Sequence, residues 1–178
     1  MKKMKTLPTF EQLQAALSYD PCTGVITWKY REWVRKTDNT RLTGKPAGTV
    51  CSGGYLQIHT KVDGVFHIMR CHRVAWVLMT GHWPESEIDH KDRNPTNNRW
   101  KNLRLANRSQ NGSNKPGSGR DEEKGCYLVK KTNKWRVYIT VNRRQIYIGT
   151  FDSREKARDA FRLSSEKHHG LFAHHLSA

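Results

Sequence analysis

Acidic residues are scarce in this chain of 178 residues: 16 Asp and Glu stand against 32 Lys and Arg, for a formal net charge of +16. The excess runs through the whole length, with +10 on residues 1–119 and +6 on residues 120–178. Such an excess points to a polyanion reached by both halves. Long apolar runs are also missing. The longest, Val74 to Met79, is far too short to span a bilayer, so no membrane partner is expected. Met1-Lys2-Lys3-Met4-Lys5 has the basic character of a signal-peptide n-region, but no apolar stretch follows it. A cytoplasmic protein is therefore expected. Cysteine is sparse, at positions 22, 51, 71 and 126, with no C-x-x-C pair and no histidine at zinc-finger spacing. That excludes the usual structural zinc patterns and leaves four free thiols in a reducing compartment. Cys126 is expected to pack as a small hydrophobe.

Periodicity divides the remainder. Thr9-Phe10-Glu11-Gln12 is a capping-box pattern, and Phe10, Leu13 and Leu17 follow at helical spacing, so residues 10–18 are expected to be helical. Tyr19 to Gly24 reads as a turn and Val25–Trp28 as a strand, while residues 29–46 are charged, unpatterned and expected to be a long loop. Ala47–Cys51, Tyr55–Thr60 and Val65–Met69 are strand patterns separated by Ser52-Gly53-Gly54 and Asp63-Gly64, both hairpin formers. From Cys71 to Thr80 the pattern becomes helical and is closed by Gly81 and Pro84. Ile88–His90 and Leu103–Leu105 read as strands joined by an Asn-rich loop, with a short helix after Ser109. Residues 116–124, opening on Pro116-Gly117-Ser118-Gly119, read as a linker between a domain over 1–115 and a second over 125–175. In the second, three strands precede a helix capped at Asp152-Ser153 and carrying Ala157, Ala160, Phe161 and Ser164 on one face. Trp135, Val137, Ile139, Ile146 and Ile148 are expected to face that helix. Arg136, Tyr138, Thr140, Gln145 and Tyr147 would then face a partner.

The chemistry concentrates in Ile88-Asp89-His90, followed by Asn102 and Asn111. Asp and Asn offer oxygen ligands for a hard cation, and His accepts a proton near neutral pH. A cation and a base are what phosphodiester hydrolysis needs. Asp-His alone is a common polar dipeptide. The full run, with D-H, N-N-R at Asn97-Asn98-Arg99, N-L-R at Asn102-Leu103-Arg104 and S-x-N at Ser109 to Asn111, resembles the HNH endonucleases, in particular the phage and intron-borne homing branch. Tyr19-Asp20-Pro21, Thr23-Gly24-Val25, Gly54-Tyr55 and His72-Arg73 are similar to the same branch.

The resemblance implies an α+β fold. Its first part would be a ββα-metal (His-Me finger) nuclease domain with an N-terminal β-rich region and a core motif over 72–115. It implies His90 as general base, Asp89 and Asn111 as ligands of one Mg²⁺ (or Mn²⁺) per active site, and Asn102 as a structural brace of the catalytic loop. An all-oxygen ligand pair favours those ions over Zn²⁺ or Ni²⁺. His72, Arg73, Arg93, Asn98 and Arg99 are candidate contacts to DNA or phosphate, though capping or a solvated loop explains them as well.

Gly125 through Ala173 resemble the APETALA2-type DNA-binding domain. The matching residues are Lys134-Trp135-Arg136-Val137-Tyr138-Ile139, Tyr147-Ile148-Gly149-Thr150-Phe151 and Ser153-Arg154-Glu155-Lys156-Ala157. This implies a three-stranded antiparallel sheet packed on one helix, with Tyr127, Lys130, Arg136, Tyr138, Thr140, Arg144, Gln145 and Tyr147 facing double-stranded DNA. Tyr127, Tyr138, Gln145 and Tyr147 stand where that family often has Arg and Trp. The function implied is a site-directed, metal-dependent DNA endonuclease of homing type, in a bacteriophage setting and so in host cytoplasm. With one active site per chain, a monomer nicks, and a double-strand break takes a weak dimer or two events. The alternatives are a non-catalytic DNA-binding regulator on a nuclease-like scaffold and, last, an RNA-binding splicing factor. The histidine-rich tail, His168, His169, His174 and His175, reads as bland.

Overall fold

The computed structural model describes residues 6–115 and 124–173. Contacts divide the chain into two compact units, Met1–His90 with Asn94–Leu105 and Lys91–Arg93 with Ala106–Ala178. Most of the expected linker, residues 116–123, lies outside the described residues, as do His174 and His175 of the tail. Among the described residues no helix is long and apolar enough to cross a membrane.

The first unit opens with α1 (Phe10–Ala16), whose Thr9–Gln12 capping box is formed in both directions. The helix stops two residues short of the expectation. Leu17–Tyr19 instead forms β1, paired antiparallel with β2 (Ile26–Trp28) in the register Leu17 to Trp28. Leu17 is fully buried on this strand, so pairing and burial override the helical spacing. The expected loop over 29–46 holds a short helix, α2 (Lys36–Leu42). It has almost no apolar face. The buried Asn39 side chain secures it, accepting from Arg31 N at 3.1 Å and donating to Arg31 O at 2.6 Å. Strands β3 (Thr49–Val50), β4 (Leu56–Val62) and β5 (Val65–Arg70) form an antiparallel sheet, with the β4–β5 turn at Asp63-Gly64 in the left-handed region. The central helix α3 (Cys71–Thr80) buries Val74, Ala75 and Val77 completely and ends on Gly81 at φ 83°. With Leu13, Ile26, Ile58, Met69, Ile88 and Leu103 these residues form one apolar cluster. Each large side chain so buried stabilises the unit by roughly 1.5–3 kcal/mol. Strand β6 (Glu87–His90) then pairs with β7 (Leu103–Ala106). Ile88 and Leu103 anchor that pair in the cluster, which fixes where Asp89 and His90 emerge.

The second unit contains α4 (Arg108–Asn114), capped by a reciprocal Asn107–Gln110 box. The helix thus begins before Ser109, because Asn107 accepts from Gln110 N. It also belongs with the C-terminal sheet rather than with residues 1–105. Ser113 Oγ donates to Phe172 O at 3.0 Å, Asn142 N donates to Ser109 Oγ at 3.2 Å, and Lys124 Nζ donates to the carbonyls of Gly112, Ser113 and Lys115 at 2.7–2.9 Å. Strands β8 (Cys126–Val129), β9 (Lys134–Val141) and β10 (Arg144–Phe151) form an antiparallel sheet in the order β10-β9-β8, packed on α5 (Arg154–His169). Cys126, Val137 and Ala157 are buried together, with Trp135, Ile148, Phe151 and Phe161 around them. Ile146 lies on the inward face as expected, opposite the buried Ile139, yet it is 38% exposed, near the start of edge strand β10 and just before a register shift between Tyr147 and Gly149.

Gly24 shows how tightly the first unit is built. It sits at φ 77° in the β1–β2 turn, and a Cβ there would stand 2.4 Å from Arg99 N and 2.5 Å from the Asn98 carbonyl carbon. Strained backbone and a clash with backbone act together. Gly24→Ala is expected to cost about 1–3 kcal/mol, measured by urea unfolding. A variant as stable as wild type would mean that this turn does not press on the 98–99 backbone.

Candidate active site

Asp89 and His90 lie at the end of β6, 4% and 5% exposed. His90 is enclosed by aromatic rings. His72, from the first turn of α3, meets it edge-on with centroids 5.2 Å apart, and Tyr55 lies 5.9 Å away. Tyr55 and His72 touch each other at 5.4 Å, so the three rings form one cluster. His90 Nε2 also lies 3.2 Å from Asn98 Oδ1. An amide oxygen can only accept, so Nε2 carries the proton and Nδ1 is the basic nitrogen of the ring.

Asn98 is itself held from several sides. It is 2% exposed, and its carbonyl accepts from the Tyr19 hydroxyl at 2.7 Å. Burial, with Asp20 and Cys22 nearby, pushes the Tyr19 phenol up to about 12, so it stays a donor. Trp100 N donates to Pro21 O at 3.0 Å, which ties the next residues of the loop to the same β1–β2 turn. Asn102 closes the loop from the other side, its amide donating to Asn97 O at 2.7 Å. Asn102 therefore bonds the segment that carries Asn98, and Asn98 contacts the imidazole.

Asp89 meets a cation. Arg104, on β7, donates through Nε to Asp89 Oδ2 at 2.8 Å, and its Nη2 stands 2.7 Å from the same oxygen. Two nitrogens converging on one oxygen cannot both align, so Nε makes the directed hydrogen bond and Nη2 a close charge contact.

The candidate residues thus fall into distinct places. Asp89, His90 and Asn102 come together in the first unit, and Asn111 lies on α4 of the second. Asp89 offers a carboxylate and Asn111 an amide carbonyl, ligand types that suit a hard divalent ion. Two candidate DNA contacts, His72 and Asn98, are 8% and 2% exposed and pack on His90 instead of facing solvent. Arg73 is half-buried over the Trp83 ring at 5.8 Å. Arg93 and Arg99 are exposed in the loop between β6 and β7. In the second unit Tyr127, Lys130, Arg136, Thr140, Arg144, Gln145 and Tyr147 are exposed and Tyr138 is half-buried. Tyr127, Tyr138 and Tyr147 form a line across the three strands, with centroids 6.1 and 5.4 Å apart. The sequence reading missed Arg104 and Tyr55 as partners of the site. Arg104 is part of N-L-R and Tyr55 follows a double glycine, but only folding brings either to Asp89 or His90.

Burial drives the His72 pKa from 6.5 down to about 3, helped by His90, Arg73 and Arg70. The unfolded chain therefore binds a proton between about pH 6.5 and 3 that the folded chain refuses. Stability is full above pH 6.5 and is lost as pH falls, by up to about 1.4 kcal/mol per pH unit. His72→Phe is expected to flatten the fall in unfolding free energy between pH 6.5 and 5, measured by urea titration at each pH. The same slope in wild type and variant would show that His72 is not the group responsible.

Residues 70–113 match the family model of HNH endonucleases. The match runs from the end of β5 through α3, β6 and β7 into α4, and so includes Asp89, His90, Asn102 and Asn111. A solved structure described as "DNA binding and cleavage by the HNH homing endonuclease I-HmuI" is similar over 91% of this chain and 90% of that one, with 19% identity and a TM-score of 0.45. A comparison with curated proteins finds no match. The buried Asp89-His90 pair thus lies inside the segment that matches the HNH endonuclease model, and that match supports an endonuclease.

Proposed function

We propose that this endonuclease is a metal-dependent, homing-type enzyme that hydrolyses phosphodiesters in double-stranded DNA, directed to its site by the C-terminal sheet. The observation that carries the reading is His90, held with its Nε2–H on Asn98 and next in sequence to the buried carboxylate of Asp89, inside the matched HNH segment. His90 is the general base: Nδ1 takes a proton from the water that attacks phosphorus in line. Asn98 fixes the tautomer, and His72 and Tyr55 limit how far the ring can turn. Asn102 acts one step back, through the loop backbone. Asp89 and Asn111 are the residues that hold Mg²⁺ or Mn²⁺, in a ββα-metal arrangement. When bound, the cation supplies Lewis-acid stabilisation of charge developing on the phosphate and the leaving oxygen.

The second unit supports DNA as the partner through its charge and its exposed sheet. We read β8–β10 as an APETALA2-type DNA-binding face, with Arg136, Arg144 and Lys130 meeting phosphates and Tyr127, Tyr138, Gln145 and Tyr147 meeting the groove. The tyrosine line makes this face more aromatic and less basic than that resemblance implies. Its contribution is therefore expected to lie in contact area as well as in charge.

His90→Ala is expected to lower the nicking rate on supercoiled plasmid by about 10²–10⁴-fold, with DNA affinity near wild type and EDTA abolishing cleavage by either protein. A variant that nicks at the wild-type rate would remove His90 from the chemistry, and full cleavage in EDTA would remove the metal. Arg136→Ala combined with Tyr147→Ala is expected to raise the DNA concentration needed for half-maximal cleavage and to leave the rate at saturating DNA unchanged. An unchanged concentration dependence would show that the sheet does not target the enzyme.

A further inference from the structure

We propose that Arg104 is the built-in counter-ion of Asp89 and makes cation loading at that carboxylate depend on DNA. The proposal rests on the reading of Asp89 as a metal ligand. Asp89 is buried on β6, and Arg104 reaches it from β7 with a side chain only 14% exposed, both nitrogens on Oδ2. A buried carboxylate is costly unless a positive partner offsets it. The Arg104 guanidinium provides that partner.

That pairing has a consequence for a divalent ion. The ion shares the carboxylate with Arg104, and it is repelled by the guanidinium at short range in a poorly solvated place. Cation binding by the protein alone is therefore weaker than Asp89 would give without its partner. A DNA phosphate reverses the balance. It meets both the cation and Arg104, and the surplus positive charge that opposed the metal now attracts the substrate. Metal and DNA then favour each other's binding, and the coupling must be reciprocal. Arg104 thus holds back metal at Asp89 until substrate is present.

The test is Mg²⁺ binding to the full-length chain without DNA, measured by titration calorimetry and by the Mg²⁺-dependent rise in Tm. Arg104→Gln keeps a hydrogen-bond donor and removes the charge, whereas Arg104→Lys keeps the charge and loses the planar fork. Arg104→Gln is expected to melt below wild type in EDTA, to recover with Mg²⁺, and to bind Mg²⁺ about fivefold or more tighter, while Arg104→Lys stays within about twofold of wild type. Adding an uncleavable DNA duplex is expected to tighten Mg²⁺ binding more in wild type than in Arg104→Gln. Unchanged or weaker Mg²⁺ binding by Arg104→Gln overturns the proposal, as does equal tightening in Arg104→Lys. Asp89→Asn separates the two levels. If it loses Mg²⁺ binding while Arg104→Gln leaves it unaltered, only the counter-ion role fails. If Asp89→Asn binds Mg²⁺ as wild type does, the metal assignment fails and the proposal with it.

Discussion

The hydrogen bond between Asn98 and His90 is the constraint on which the rest of the first unit depends. It decides which imidazole nitrogen is basic, and it holds only if the Asn-rich loop between β6 and β7 is itself fixed. Much of the N-terminal region serves that end. Tyr19 and the Pro21 carbonyl bond the loop from β1 and its turn, and Gly24 lets the turn close on the 98–99 backbone. Asn102 bonds it from the 3₁₀ turn before β7. A neutral amide in a buried place is a strong device here: left unsatisfied it is costly, and satisfied it has one geometry.

A second constraint is the burial of charge beside that imidazole. Asp89 and Arg104 neutralise each other across the β6–β7 pair, while His72 is kept uncharged by the same exclusion of water. A protonated His72 would place a positive charge against the His90 ring. The site therefore combines one ion pair with a neutral ring cluster, and both depend on Ile88 and Leu103 anchoring their strands in the apolar core.

Local patterns in the sequence were legible wherever one residue type dictates one conformation. The Thr9 capping box, the Asp63-Gly64 hairpin turn and the Gly81 helix end all appear at the expected places. Reading fell short where structure comes from contacts distant in sequence. Leu17 fits a helix by spacing yet pairs with Trp28. Helix α2 has no apolar stripe and is held by one asparagine side chain. Ile146 alternates like a core residue but lies on an edge strand. Helix α4 is expected after Ser109 but starts at the Asn107–Gln110 cap. At the site, the adjacency of Asp89 and His90 is a property of the sequence itself. The partners of His90 come from the β3–β4 turn, α3 and the Asn-rich loop, which no spacing rule connects. The sequence offers Asn98 as a groove contact or as part of a solvated loop, and in the structure it is buried against His90.

The central claim is that His90 is poised as a base through Nδ1 because Asn98 holds the proton on Nε2. The most direct measurement is a long-range ¹H–¹⁵N correlation spectrum of the full-length protein with ¹⁵N-labelled histidine, near neutral pH, with the His90 signals assigned from their loss in His90→Gln. The account predicts a neutral ring with the proton on Nε2, and a mixture of tautomers once Asn98 is replaced by Ala. A wild-type His90 ring protonated on Nδ1 alone would contradict it.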